Sequence, residues 1–94
     1  MPTYAVTLVT SNTSIDPGYE LYLIDATGGN IVMTLFDILA DGQVMMFRRT
    51  DSTGNTVTIV CDGSETIDGN PTLDLPPSSS AKLVSFNDNW FTFV

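Results

Sequence analysis

The chain has 94 residues, of which 43% are hydrophobic and only 15% are charged, so it is too apolar for a disordered chain. A chain of this length supports one domain, which we place at residues 1–94, because it cannot bury two cores. Three basic residues against eleven acidic ones give a net charge of −8, which disfavours nucleic acid and anionic membranes as partners.

Most of the chain alternates apolar and polar residues with a period of two, as β-strands do. In chain order the predicted strands are Tyr4–Thr10, Glu20–Asp25, Asn30–Phe36, Gln43–Thr50, Thr56–Cys61, Thr72–Leu75, Ala81–Asn87 and Trp90–Val94. The second and third resemble a hairpin around ATGGN, residues 37–41 could form one helical turn, and residues 1–19 form an N-terminal strand and arm. We predict an all-β fold, a compact antiparallel β-sandwich or barrel-like domain of about seven to eight strands.

Several predicted strands carry large apolar residues on both faces. In residues 43–50, Val44 and Met46 lie opposite Met45 and Phe47. A domain of this size has one interior, so we expect other copies of the chain to cover the second faces. A monomer with a thick sandwich core is the alternative. The candidate residues of an oligomer interface are Met33, Met45, Phe47, Phe91 and Phe93.

The segment NTVTIVCDGSETIDG, residues 55–69, runs from a strand into a loop with three carboxylates, those of Asp62, Glu65 and Asp68. Carboxylates are calcium ligands, but this spacing does not match an EF-hand loop. As an acid–base pair they would need a pocket that desolvates them. Aspartate and glycine are also the residues that turns between strands require, so we interpret this loop as a connection, without a metal.

Other catalytic arrangements lack the necessary residues. The chain has no histidine, which excludes a Ser-His-Asp or Cys-His arrangement and the usual zinc sites. The paired glycines of ATGGN have neither a phosphate-loop lysine nor a following helix. A glycosidase with two carboxylates would need a groove formed between subunits. We expect no enzymatic activity, no catalytic residues and no cofactor.

The single cysteine, Cys61, excludes an internal disulfide framework, and its place in an alternating segment indicates a small core residue. The first residues have no basic region followed by a continuous apolar segment, so we expect no secretory signal and assembly in a cytoplasm. No segment approaches the ~20 consecutive apolar residues of a membrane-spanning helix.

The order of several segments resembles a β-structured module of tailed-phage virion proteins, which occurs in tail fibres, spikes and head-decoration proteins. The segments are YELYLIDATGGNIVMTL, DGQVMMFRRTDSTGNTVTIV, ETIDGNPTLDL and SSSAKLVSFNDNWFTF, within residues 20–94. The residues that match the pattern are Asp25, Thr34, Leu35, Gly42, Arg49, Asp51, Asn55, Val57 to Ile59, Thr66, Ile67, Gly69 and Trp90. The chain departs from it at Phe36, where the pattern has proline, and in the longer FDILADG.

This resemblance implies a structural virion protein that works as a homotrimer. A short chain fits a head-decoration, or cement, protein on the capsid surface, which binds the major capsid protein where capsomers meet. The N-terminal strand would then contact the capsid by strand addition, with Tyr4, Val6 and Leu8 as candidate residues. The alternative is a tail-fibre, head-fibre or spike domain that binds a host receptor or glycan. In that case Tyr4, Tyr19 and Tyr22 would stack on sugars.

The matching residues also have structural interpretations. We expect Arg49 and Asp51 to form an exposed ion pair at a strand end, worth ~0 to 1 kcal/mol. Ile67 is predicted to return to the core, and Trp90 to anchor the last hairpin. The prolines of DLPPSSS indicate an extended segment that crosses the surface.

Overall fold

The computed structural model describes residues 6–15 and 21–93. These residues form an all-β fold without helices, and they contain no helix long and apolar enough to cross a membrane. The strands are β1 (Val6–Val9), β2 (Thr13–Ser14), β3 (Leu21–Ile24), β4 (Ile31–Thr34), β5 (Val44–Arg49), β6 (Val57–Val60), β7 (Thr72–Asp74), β8 (Ser80–Phe86) and β9 (Asn89–Phe93). The predicted helical turn at residues 37–41 is wrong, because that segment is irregular.

The strands form two sheets, with the order β1-β3-β5-β8-β9 in the five-stranded sheet and β2-β4-β6-β7 in the four-stranded sheet. Up to β6, each strand lies in the other sheet from the strand before it. The chain therefore winds through three turns, and each turn adds one parallel strand to each sheet. Parallel strands require a crossover connection, and here the strand of the opposite sheet provides it.

The predicted antiparallel arrangement holds only for the last third of the chain. Among the described residues, four strand pairs are parallel and three are antiparallel, so both sheets are mixed, and together they do not close into a barrel. The predicted hairpin of residues 20–36 is wrong, because the connection at residues 25–30 carries the chain from one sheet to the other.

Three antiparallel strands close the fold after the third turn: β7 pairs with β6, β8 with β5 and β9 with β8. The segment with Pro76 and Pro77 is exposed and crosses from one sheet to the other, as predicted. The β8–β9 turn consists of Asn87 and Asp88, with φ of 52° and 61°. Two consecutive positive φ values define the tight turn that matches the twist of a hairpin, and asparagine and aspartate tolerate this conformation well.

One core collects the buried side chains of both sheets. Its largest members include Trp90 and Ile67, which are 0% and 1% exposed, so both predictions for these residues are confirmed. Tyr22 and Phe47 stack in the core with ring centroids 5.5 Å apart. The edge of Phe36 packs against the Trp90 ring at 5.6 Å. Cys61, predicted to be a small core residue, is half-buried and packs against the outside of this core.

The Arg49–Asp51 pair lies inside the protein, and the expectation that it is exposed is wrong. The side chains are 2% and 3% exposed, with Arg49 Nε 3.0 Å from Asp51 Oδ1. The same guanidinium donates to the carbonyl oxygens of Leu75, at 2.9 Å, and Asn55, at 2.5 Å. Asn55 donates to Ala26 O at 2.7 Å, and Ala26 N donates back to Asp51 at 2.9 Å. The network therefore joins three connections that are far apart in the sequence.

Hydrogen bonds hold the Asp51 carboxylate in its charged form. The Arg49 guanidinium contributes most, followed by the Thr53 hydroxyl and the backbone N–H of Ala26, and they keep the pKa of Asp51 far below its usual range. Burial acts in the opposite direction but is the weaker effect. The RRTDSTGN segment is thus a folding element, in which Arg49 is neutralised by its own chain and leaves no charge for a partner.

Candidate functional site

The two sheets present very different surfaces to solvent. In the four-stranded sheet, the residues that alternate with buried ones are mostly polar: Ser14, Val32, Thr34, Thr58, Val60, Thr72 and Asp74. In the five-stranded sheet the corresponding residues are mostly apolar: Val6, Leu8, Leu21, Leu23, Val44, Met46, Arg48, Ser80, Lys82, Val84, Phe86, Asn89, Phe91 and Phe93. We call this second set the outer face. Its composition is that of a surface covered by protein rather than by water.

The outer face follows from the alternation of each strand. In β5, Met45 and Phe47 point inward and are 2% and 1% exposed, while Val44 and Met46 point outward and are half-buried by their neighbours. Large apolar side chains on both sides of a strand give one face to the core and leave the other at the surface. Within the described residues, nothing covers this second side.

Exposure is greatest at the two edges of the outer face. On β1, Val6 and Leu8 are 52% and 67% exposed. At the opposite edge, Phe86, Phe91 and Phe93 are each between 41% and 59% exposed. These three rings line an open cavity of about 560 Å³ together with Val84 and Asp41. An aromatic or aliphatic side chain from another protein would contact mostly carbon atoms there.

The candidate interface residues divide into two groups. Phe91 and Phe93 lie on the outer face and are exposed. Met33, Met45 and Phe47 are between 0% and 2% exposed and face the core of their own chain, so they offer no side-chain surface to a second copy. The error has a simple cause: alternation separates the two faces of a strand but does not show which one points inward. Val44 and Met46, on the opposite side of β5, take the place of Met45 and Phe47.

The candidate capsid contacts lie at the β1 edge. Val6 and Leu8 are on the outer face, whereas Tyr4 lies outside the described residues. Asp25 N donates to Val9 O at 2.9 Å, so the backbone groups of Val9 point to β3 and those of Leu8 point away from it. Beyond β1, residues 13–15 are packed into the fold: β2 pairs with β4, and Ile15 is buried.

The opposite edge of the sheet is closed. Trp90 N donates to Thr66 O at 2.8 Å, and Asp68 N donates to Trp90 O at 3.0 Å. The Asp68 carboxylate then accepts from Thr92 N at 3.1 Å and from the Thr92 hydroxyl. Residues 66–68 thus occupy three of the backbone groups that β9 would offer to another strand, Trp90 N, Trp90 O and Thr92 N. The five-stranded sheet has one open edge, at β1, among the described residues.

The three carboxylates of residues 61–70 have separate structural surroundings. Asp68 bonds to Thr92, Glu65 Oε2 accepts from Ile38 N at 2.9 Å, and Asp62 is exposed. Across residues 6–15 and 21–93, no three histidine, cysteine, aspartate or glutamate side chains come close enough to hold a metal ion. Glu65 and Asp68 thus each join this loop to a distant part of the chain.

Only two cations of the described chain remain free, and both lie on the outer face. Lys82 pairs across the sheet with Met46, and Arg48 pairs with Ser80, so the two charges are on neighbouring strands. Both side chains are exposed, and neither forms an ion pair with a described residue. They border a cavity of about 370 Å³ whose other lining residues include Leu21, Met46 and Phe93.

Comparison of the sequence with protein-family models and with curated proteins finds no match to this chain. The described residues present an apolar sheet face with two cations, one open strand edge beside it, and a polar face on the opposite side of the domain.

Proposed function

We propose that this protein is a structural component of a tailed-phage virion, a homotrimeric decoration protein that binds the major capsid protein where capsomers meet. The observation that carries the proposal is the outer face, an apolar surface of a kind that proteins bury in assemblies. In this proposal the protein is assembled in the host cytoplasm, sits on the capsid surface and has no enzymatic activity.

The residues that carry the resemblance have structural roles in this fold. Arg49, Asp51 and Asn55, which carry the resemblance, belong to one buried network. Thr66 and Trp90, which also match, join the 66–68 segment to β9. The ordered motif therefore reads as a signature of this fold rather than of a catalytic site. We also propose that the two sheets make up the β-sandwich that the sequence predicts, since they share one core.

In this proposal one surface binds other copies of the chain and a second surface binds the capsid protein. The outer face joins the copies of the trimer, since most of its residues are apolar. The β1 edge binds the capsid protein by strand addition, with Val6 and Leu8 beside the open backbone groups. The polar face of the four-stranded sheet stays in water, and the net charge of −8 keeps free trimers apart.

The alternative, a fibre or spike domain that binds a receptor or glycan, has less support. Of its three candidate tyrosines, Tyr22 is 1% exposed and stacks on Phe47 inside the core. Tyr4 and Tyr19 lie outside the described residues. A glycan array probed with the full chain tests this alternative directly. Specific binding to a sugar that competes with capsid binding would favour it over the decoration function.

The test of the proposal combines mass and binding. The mass of the purified chain is measured by light scattering. Its occupancy is measured on capsids assembled from the major capsid protein of the same virion. A trimer that binds those capsids is the expected result. Leu8→Lys places a charge at the open edge and should lower capsid affinity about ten-fold or more while the trimer persists.

A matched control is Val32→Lys, which places the same charge on the polar face of the four-stranded sheet. It should leave both the mass and the capsid occupancy unchanged. Capsid binding that is the same for Leu8→Lys and Val32→Lys would contradict the role of the β1 edge. A chain that does not bind the capsids at any concentration would contradict the decoration function.

A further inference from the structure

We infer that Arg48 and Lys82 of one copy bind the acidic end of the outer face of a second copy, where Asp41 lies. The inference deepens the proposed function and rests on its self-association. It names the contact that sets how neighbouring copies are oriented.

The charges of the outer face are separated along its strands. Arg48 lies at the end of β5, and Lys82 lies near the start of β8, which runs antiparallel to it. Asp41 lies just before β5, at the opposite end, beside Phe86 and Phe91 in the 560 Å³ cavity. From Val44 to Arg48 the strand alone extends ~13 Å, which is beyond the reach of an ion pair within one chain. The face is thus basic at one end, apolar in the middle and acidic at the other.

The acidic end is held in place. An Asp41 carboxylate oxygen accepts from Asn87 N at 3.0 Å, which ties the connection before β5 to the β8–β9 turn. Ser85 fixes the same connection from inside, because its hydroxyl donates to Ala40 O at 2.7 Å and accepts from Gln43 N at 2.9 Å. Asp41 is therefore presented at a defined position on the rim of the cavity.

A second copy is the occupant that these charges select. A basic protein would be repelled by Arg48 and Lys82, whereas this chain is strongly acidic and carries its only free cations, within the described residues, on the outer face. Each copy offers one basic end and one acidic end. In a closed ring, the basic end of each copy meets the acidic end of the next, so the two cations of one copy face the Asp41 carboxylate of its neighbour. Contact between two basic ends would place four cations together.

Substitutions that reverse these charges test the inference in the 94-residue chain. The variants are Arg48→Glu with Lys82→Glu, Asp41→Lys, and the combination of all three substitutions. Sedimentation equilibrium at low and high salt gives the dissociation constant of the assembly. Each of the first two should weaken association about ten-fold or more, because like charges then meet. The triple variant should recover most of that loss, since opposite charges face each other again.

Three controls separate charge from folding. Arg48→Lys with Lys82→Arg keeps both charges and should associate like the native chain. Asp41→Asn keeps an oxygen for the Asn87 bond, so it should weaken association less than Asp41→Lys. Asp62→Lys adds a positive charge at an exposed position away from the outer face and should have no effect on association. Thermal unfolding followed by circular dichroism reports whether each variant is folded.

A triple variant that associates as weakly as either parent would overturn the inference, as would association of all variants like the native chain. A native chain that stays monomeric at every concentration would overturn both this contact and the proposed trimer. If the charge variants change self-association as expected but the native chain does not bind capsids, only the decoration function would be contradicted.

Discussion

Arg49 and Asp51 form a two-point ion pair inside the protein, with Nε–Oδ1 and Nη2–Oδ2 distances of 3.0 and 3.1 Å. They lie two residues apart on the chain, at the end of a strand, yet the network around them reaches connections of both sheets. Most of the donors of the guanidinium and both carboxylate oxygens have partners, which is the condition under which a buried pair is tolerated.

Removing the guanidinium should leave Asp51 as an unpaired buried charge. We expect Arg49→Met to lower the free energy of unfolding by about 3–5 kcal/mol. Arg49→Lys keeps the charge but lacks the planar fork, so its loss should be smaller. Asp62→Asn is the control, since Asp62 is exposed and lies away from the outer face, and it should change stability by less than about 0.5 kcal/mol. Urea unfolding at a single protein concentration gives all three values, and equal losses at the two positions would contradict the role of the network.

Asp51 should also make stability depend on pH in the acid range. Its pKa in the folded state is lowered, so the unfolded chain binds a proton more readily and stability is favoured above the unfolded value of ~3.9. That contribution should be lost as pH falls from about 4 toward the much lower pKa of the folded state. Asp51→Asn should unfold more easily at pH 7 and lose less stability between pH 4 and 2. Asp62→Asn, at an exposed position without a hydrogen bond to a described residue, should retain the native slope in the same urea titrations.

The Asp68–Thr92 contact should protect the closed edge of the five-stranded sheet. Asp68→Ala removes both acceptors and places alanine at a φ of 50°, a conformation that side chains rarely adopt. We expect the Thr92 amide to exchange its hydrogen about ten-fold faster in this variant, as measured by NMR. Thr92→Val loses the hydroxyl but keeps the bond to its N–H, so the exchange rate at position 92 should change much less. Equal rates in both variants would show that the carboxylate does not hold this edge.

Cys61 should react slowly in the folded chain. Burial, and to a smaller extent the charge of Glu65, raises the pKa of its thiol, which lowers the fraction of reactive thiolate at a given pH. Alkylation at pH 8 should therefore be slower in buffer than in denaturing urea. Glu65→Gln removes the smaller of the two causes and should speed the reaction of the folded protein modestly. A rate in buffer equal to that in urea would contradict this description of the thiol.

The sequence predicts the strands well because alternation is a local property. Residues 21–24, 31–34 and 44–49 were all expected as strands and are strands. Pairing is not local, since alternation is the same whether a strand pairs with the next one or with a strand about 25 residues away. The parallel pairing of Leu21 with Met46 cannot be recognised in the sequence of either segment alone. For this reason the all-β class was predictable, whereas the winding and the mixed sheets were not.

The candidate site was predictable in part for the same reason. The sequence indicates that some strands have two apolar faces, and the structure confirms an apolar second face in β5. Which residues form it depends on where the opposite sheet lies, so the sequence alone does not distinguish Met45 from Met46. The burial of Arg49 was missed because charged residues are seldom buried. The signal was present in the sequence: Arg49, Asp51 and Asn55 belong to a single network, and their spacing was part of the ordered motif.

Because each turn of the chain contributes to both sheets at once, the natural unit of length in this fold is a whole turn rather than a strand. An extra turn inserted between β4 and β5 would add one strand to each sheet and leave the closing strands β7 to β9 unchanged. The same domain could then grow along one axis while its C-terminal end stays constant. An elongated protein and a compact protein with this fold would differ in the number of turns. Both would wind in the same way and end with the same three antiparallel strands.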